Sequence, residues 1–136
     1  ASGETLVQKN SIVLDSLRSM LDDVLALKPD MALLLTEFGA DAVPGFYSAS
    51  RDLWSENYQA DLLTAIFKIA DEYPAIVGTF PFCFCDYQDP SKLPNGYWNG
   101  LNLKGVVDFN RNPKMAYYAV CEWYRKRNGS IQESPP

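Results

Sequence analysis

The sequence predicts an α/β fold, specifically one section of a larger β/α assembly. Three observations carry this. Helical and strand-like apolar patterns alternate along 136 residues, enough for a single compact domain. The strand candidates are continuous apolar runs, as in parallel strands covered on both faces. Two such strands are too few for a stable sheet of that kind, so the chain must be part of, or associate into, something larger.

The first helix is expected over Thr5–Leu27, where Leu14, Leu17, Leu21, Val24 and Leu25 recur at helical spacing and Pro29 follows. Met31–Leu35 reads as the first strand. Gly39–Asp52 reads as a loop with Pro44 and Gly45. A second helix starts near Ser55, a good N-cap, with Glu56 in the first turn where the helix dipole favours negative charge. Its apolar face runs through Tyr58, Leu62, Ile66, Ile69 and Tyr73, and Pro74 ends it. Ala75–Phe80 is the second strand, and Pro81, which has no amide hydrogen, should disturb its pairing. Cys85–Gly105 is a long loop rich in Pro, Asn, Gly and aromatic residues, a length usual for functional loops. The last helix is expected from Asn112–Pro113, with Ala116, Val120 and Trp123 facing inward. Glu122, Arg125, Lys126 and Arg127 form its solvated end, Asn128–Gly129 stops it, and 128–136 is a flexible tail. Arg51 and Asp52 read as framework and Trp54 as core.

Composition narrows the function. The net charge of −5 and a pI near 4.6 argue against nucleic-acid binding. No apolar run is long enough to be a transmembrane helix. Cys83, Cys85 and Cys121 fit neither a disulfide framework nor a zinc pattern, and there is no histidine. They read as reduced, buried thiols, which favours a reducing, cytoplasmic compartment. Without histidine, acid–base chemistry must rest on carboxylates, lysine or tyrosine. The start, Ala1-Ser2-Gly3, lacks Met and a signal-peptide pattern, as expected of a fragment or processed chain.

Glu37 ends an apolar run, in Leu34-Leu35-Thr36-Glu37-Phe38-Gly39. In parallel β/α barrels, catalytic groups sit at the carboxyl ends of strands. A carboxylate there is a nucleophile, a base or a metal ligand; otherwise it caps a neighbouring element or pairs with an arginine.

Four motifs in order carry a resemblance. These are T-E-F-G-A-D at 36–41, R-D-L-W-S-E-N-Y-Q at 51–59, Asn102-Leu103-Lys104, and Asn110-Arg111-Asn112-Pro113-Lys114. Over about residues 30–124 the chain resembles the C-terminal part of the β-glucuronidases of glycoside hydrolase family 2. The resemblance implies the last β/α units of a TIM (β/α)8 barrel, incomplete alone, with 1–136 as one segment of that catalytic domain. It implies Glu37 as the nucleophile of a retaining glycosidase, and Asn102 and Lys104 as the N-x-K motif that holds a sugar carboxylate. In extended backbone, side chains at i and i+2 point the same way, which suits two groups gripping one carboxylate.

The family's W-N-F-x-D-F-like run corresponds to Phe82–Tyr87, which keeps Asp86 and the aromatic positions but replaces tryptophan by Phe82. Phe82 and Asp86 are thereby implied at the substrate. Trp98 stands where many glucuronidases carry an arginine before N-x-K. Tyr97 and Trp98 either shape an aglycone site or pack under the loop. No Asn-Glu pair, the family's acid/base signature, occurs in the chain. The acid/base is therefore expected on another segment or chain, and the isolated chain is expected to be inactive. The resemblance implies a glucuronide substrate, the rest of the barrel as partner, a homo-oligomeric complete enzyme and no cofactor. A galacturonidase or β-galactosidase-like activity, and a non-catalytic fragment completing a partner's barrel, are the alternatives.

Overall fold

A computed structural model describes residues 11–95 and 100–132. Helix α1, Ser11–Leu27, leads into strand β1, Leu33–Phe38. Helix α2, Glu56–Glu72, connects β1 to β2, Ile76–Pro81, and the two strands pair in parallel. A short antiparallel ladder joins β3, Tyr87–Gln88, to β4, Leu101–Asn102, with a 3-10 turn at Pro90–Asn95 between them. Helix α3, Met115–Gln132, packs on α2. The first helix's predicted start, Thr5–Asn10, lies outside the described residues.

Each helix buries the face its sequence dictates. In α1, Leu21 is buried, and Leu14 and Leu17 lean on the same cluster with Ile69, Ala70 and Ile76. At the start of α2, the Ser55 hydroxyl accepts the Tyr58 amide hydrogen at 3.1 Å, the expected N-cap. The buried face of α2 is wider than its single predicted stripe and includes Leu63 and Phe67. The reason is that α2 is covered from two sides, by the strands and by α3. Phe67 stacks on Trp123 of α3 at 4.3 Å, and the Arg127 guanidinium lies 5.0 Å from the indole centroid.

Several expectations are corrected. Strand β1 begins two residues later and extends to Phe38, because the Met31 amide closes a turn onto Lys28 while Leu33 N–H donates to Ala75. Within this chain one face of the strands is covered: Leu33 and Leu35 pack on the helices, whereas Leu34 is 60% exposed and Phe80 57%. The long loop carries the β3–β4 ladder. Helix α3 starts at Met115, since Pro113 bridges Val107 and Lys114 N–H is bound to Val106. Asn112 instead closes the turn with the Asp108 carboxylate. The helix continues through Asn128 and Gly129 to Gln132, so residues 128–132 are helical. Trp54 is 44% exposed rather than core; with φ +66° its backbone turns to bridge Ala42. Arg127 is not a solvated end group, because it donates to the Ile76 carbonyl and faces Asp71.

Candidate active site

The carboxyl end of β1 is bent by one residue. Thr36 pairs with Phe80 and Phe38 with Pro81, leaving Glu37 between them without a ladder partner. Glu37 has φ +58°, the left-handed region, which costs a non-glycine residue about 1–2 kcal/mol. Such a bulge re-aims a side chain. Phe38 turns inward, edge-on to Phe67 at 5.8 Å, while Glu37 is exposed. The Phe38 carbonyl then accepts Phe82 N–H at 2.9 Å, joining the ends of β1 and β2. Gly39 follows with φ +147°, and a Cβ there would stand 3.0 Å from the Phe82 carbonyl oxygen.

The Asn102–Lys104 segment is fastened to the same end. Lys104 O accepts Cys83 N–H, and Leu103 O accepts Ala42 N–H. Leu103 N–H donates to the Asp41 carboxylate at 2.9 Å. Asp41 also receives Lys92 at 2.8 Å and faces Lys104 at 3.8 Å. Burial pushes the Asp41 carboxyl up, but the Lys92 and Leu103 hydrogen bonds and the two ammonium charges outweigh it and leave it below the usual range. Asn102 and Lys104 are not in one extended strand as expected. β4 ends at Asn102, whose side-chain oxygen accepts Lys104 N–H at 3.1 Å, a local turn. Asn102 is buried and donates to the Tyr87 hydroxyl; the Lys104 side chain is 34% exposed.

Behind this face lies a set of buried tethers, drawn from the sequence motifs. The Gln59 amide donates to the carbonyls of Ala40, Lys104 and Gly105 at 2.9, 3.3 and 3.1 Å. The Lys114 ammonium donates to Ala42 O, Leu103 O and Asp86 Oδ1 at 3.0, 3.0 and 2.9 Å. The Glu56 carboxylate accepts Gly45 N–H and Met115 N–H, each at 2.7 Å, and so caps α3 from α2. These roles were missed from sequence, although Gln59 and Lys114 end two of the four motifs and Asp41 ends a third. Gly105 has no room for a side chain, since a Cβ would collide with the backbone of Cys85, Asp86 and Val107.

No family model matches the chain. The chain is 32% identical over 103 residues, 76% of its length, to a β-glucuronidase of Paenibacillus borealis. The Ruminococcus gnavus β-glucuronidase structure superposes on 82% of it with a TM-score of 0.72 and 28% identity. A GH2 β-galacturonidase of Eisenbergiella tayi bound to galacturonate superposes on 68% with a TM-score of 0.63 and 32% identity. The chain belongs to glycoside hydrolase family 2. It spans only 16% of the Paenibacillus protein and 19% and 17% of the two structures.

The GH2 chain thus brings Glu37, Phe82 and the Asn102–Lys104 segment to one end of the β1–β2 pair. Phe82 is half-buried, edge-on to Tyr87 at 6.3 Å. Asp86 does not join them. It is 1% exposed and its Oδ1 is taken by Lys114 and Gly105 N–H, so it holds the loop from within. Burial pushes its carboxyl up against the pull of Lys114. Tyr97 and Trp98 lie outside the described residues. The three cysteines are free and half-buried rather than fully buried. Burial, then the Asp86 charge, pushes the Cys83 thiol up to about 11, so it is not a thiolate nucleophile at neutral pH. Among the described residues, no group of three or more Cys, Asp or Glu is arranged to hold a metal.

Proposed function

We propose that this GH2 chain is the C-terminal section of a (β/α)8 barrel in a retaining glycosidase that cleaves β-D-glucuronides. The observation that carries it is the bulge at the end of β1, which leaves Glu37 exposed at the strand end to which Phe82 and Cys83 tie the Lys104 segment through their backbone. The expected position for barrel chemistry is this carboxyl end of the strands.

In this reading Glu37 attacks the anomeric carbon of the sugar. The glycosidic C–O bond breaks as a second carboxyl, on sequence outside this chain, gives its proton to the leaving oxygen. Two carboxyl groups about 5–5.5 Å apart suit this double displacement. Water, deprotonated by the second group, then hydrolyses the glycosyl ester and frees Glu37. Lys104 supplies a cation for the sugar's carboxylate, Asn102 shapes the turn that presents it, and Phe82 gives an apolar wall. The β3–β4 loop and its tethers keep that cation fixed relative to β1.

The Eisenbergiella relative favours one alternative, a β-galacturonide. Both sugars offer the same carboxylate and differ in the configuration of one ring hydroxyl, so Lys104 would receive either. The test is steady-state kinetics of the complete enzyme on glucuronide, galacturonide and glucoside. Lys104→Ala should lower kcat/KM on the favoured uronide at least about ten-fold more than on the glucoside. Equal losses on acidic and neutral sugars would remove Lys104 from uronate recognition. The chain by itself is expected to show no turnover.

A further inference from the structure

The Asp41 carboxylate treats its two lysines unequally. Oδ1 accepts two short hydrogen bonds, from Lys92 Nζ at 2.8 Å and Leu103 N–H at 2.9 Å. Oδ2 stands 3.8 Å from Lys104 Nζ, beyond hydrogen-bond reach. Lys92 is the more enclosed cation, its side chain 22% exposed against 34% for Lys104. It comes from the 3-10 turn at Pro90–Asn95, where Lys92 N–H donates to Asp89 O and the Asp89 carboxylate holds Ser91. The Asp89 carboxylate also lies in the field of Lys92, so both acids of the cluster lean on Lys92, and Lys104 is the more exposed and less neutralised ammonium.

We infer that Lys92 is a specificity-determining positioning residue: by taking the short contacts of Asp41 it leaves Lys104 as the less compensated cation, the one that receives a hexuronic acid carboxylate. The inference rests on the uronide reading above. Without Lys92, Asp41 would turn its charge onto Lys104, closing the 3.8 Å gap and presenting a neutral pair to the substrate. Removing the Asp41 charge as well would return Lys104 to its free state, while asparagine keeps the acceptor for Leu103 N–H.

The test is KM and kcat of the complete enzyme on p-nitrophenyl β-D-glucuronide and on the matching galacturonide. On the sugar the wild type prefers, Lys92→Met should raise KM about ten-fold, with a much smaller change in kcat. Lys92→Arg should stay close to wild type. Lys92→Met combined with Asp41→Asn should restore KM to within about three-fold of wild type. An unchanged KM in Lys92→Met overturns the inference, and so does a raised KM that the second substitution fails to rescue, which would make Lys92 a direct ligand. If the wild type turns over neither uronide, the uronide reading falls and this inference with it.

Discussion

The Lys114 ammonium meets the Asp86 carboxylate at 2.9 Å, and both side chains are 1% exposed. The pair sits where three loops converge, because Lys114 also takes the carbonyls of Ala42 and Leu103. Asp86 Oδ2 has no partner among the described residues, so Lys114 is the main compensation for its charge. Removing one member of a buried ion pair costs about 3–5 kcal/mol, since the other charge stays buried. Lys114→Met should therefore lower the thermal unfolding temperature of the complete enzyme markedly. Adding Asp86→Leu should recover part of the loss. Recovery would be partial, because the two carbonyls still lose their donor.

Gln59 is 1% exposed and binds the carbonyls of Ala40, Lys104 and Gly105. Gln59→Leu keeps the bulk and removes the donors. Leaving buried acceptors unmet costs about 1–3 kcal/mol each, so a lower unfolding temperature is expected. KM for the uronide should also rise, because the Lys104 segment loses its anchor. A Gln59→Leu enzyme with wild-type KM and stability would contradict this role.

Asp41 makes the acid limb of stability readable. Its folded carboxyl lies below the ordinary aspartate value because Lys92, Leu103 N–H and Lys104 overcome the upward push of burial. A depressed folded value means the carboxylate stabilises the fold above the ordinary value, about 3.9, and that this is lost as pH falls through the folded value. The unfolding temperature of the wild type should exceed that of Asp41→Asn by a constant margin between about pH 5 and 7. The margin should shrink below about pH 4. A margin that grows on acidification would reverse the sign of the argument.

How much of this was legible in the sequence differs from element to element. Helical stripes and the Ser55 cap are local signals, so α1, α2 and the inward Ala116 and Trp123 were readable. The Glu37 bulge was not, because it depends on how β1 registers against β2. The start of α3 was misread for a similar reason. Asn112-Pro113 has good capping chemistry, but Asp108 draws Asn112 into a turn, Pro113 bridges Val107, and Glu56 on α2 caps Met115 from across the fold. The position of Asp86 likewise needs Lys114, 28 residues away, to be understood. Local patterns thus place the carboxylate at the strand end. Only long-range hydrogen bonds show that Gln59, Glu56 and Lys114 hold its surroundings.

The central claim, that Glu37 becomes covalently bonded to the sugar, is tested most directly by trapping. The complete enzyme would be incubated with a 2-deoxy-2-fluoro-β-D-glucuronyl fluoride and its galacturonyl counterpart, digested, and mapped by mass spectrometry. The fluorine slows hydrolysis of a glycosyl ester, so the intermediate accumulates. The account predicts one added sugar on the peptide containing Glu37, and none in Glu37→Gln. Inactivation with the sugar on a different carboxylate, or turnover by Glu37→Gln at a wild-type rate, would contradict it.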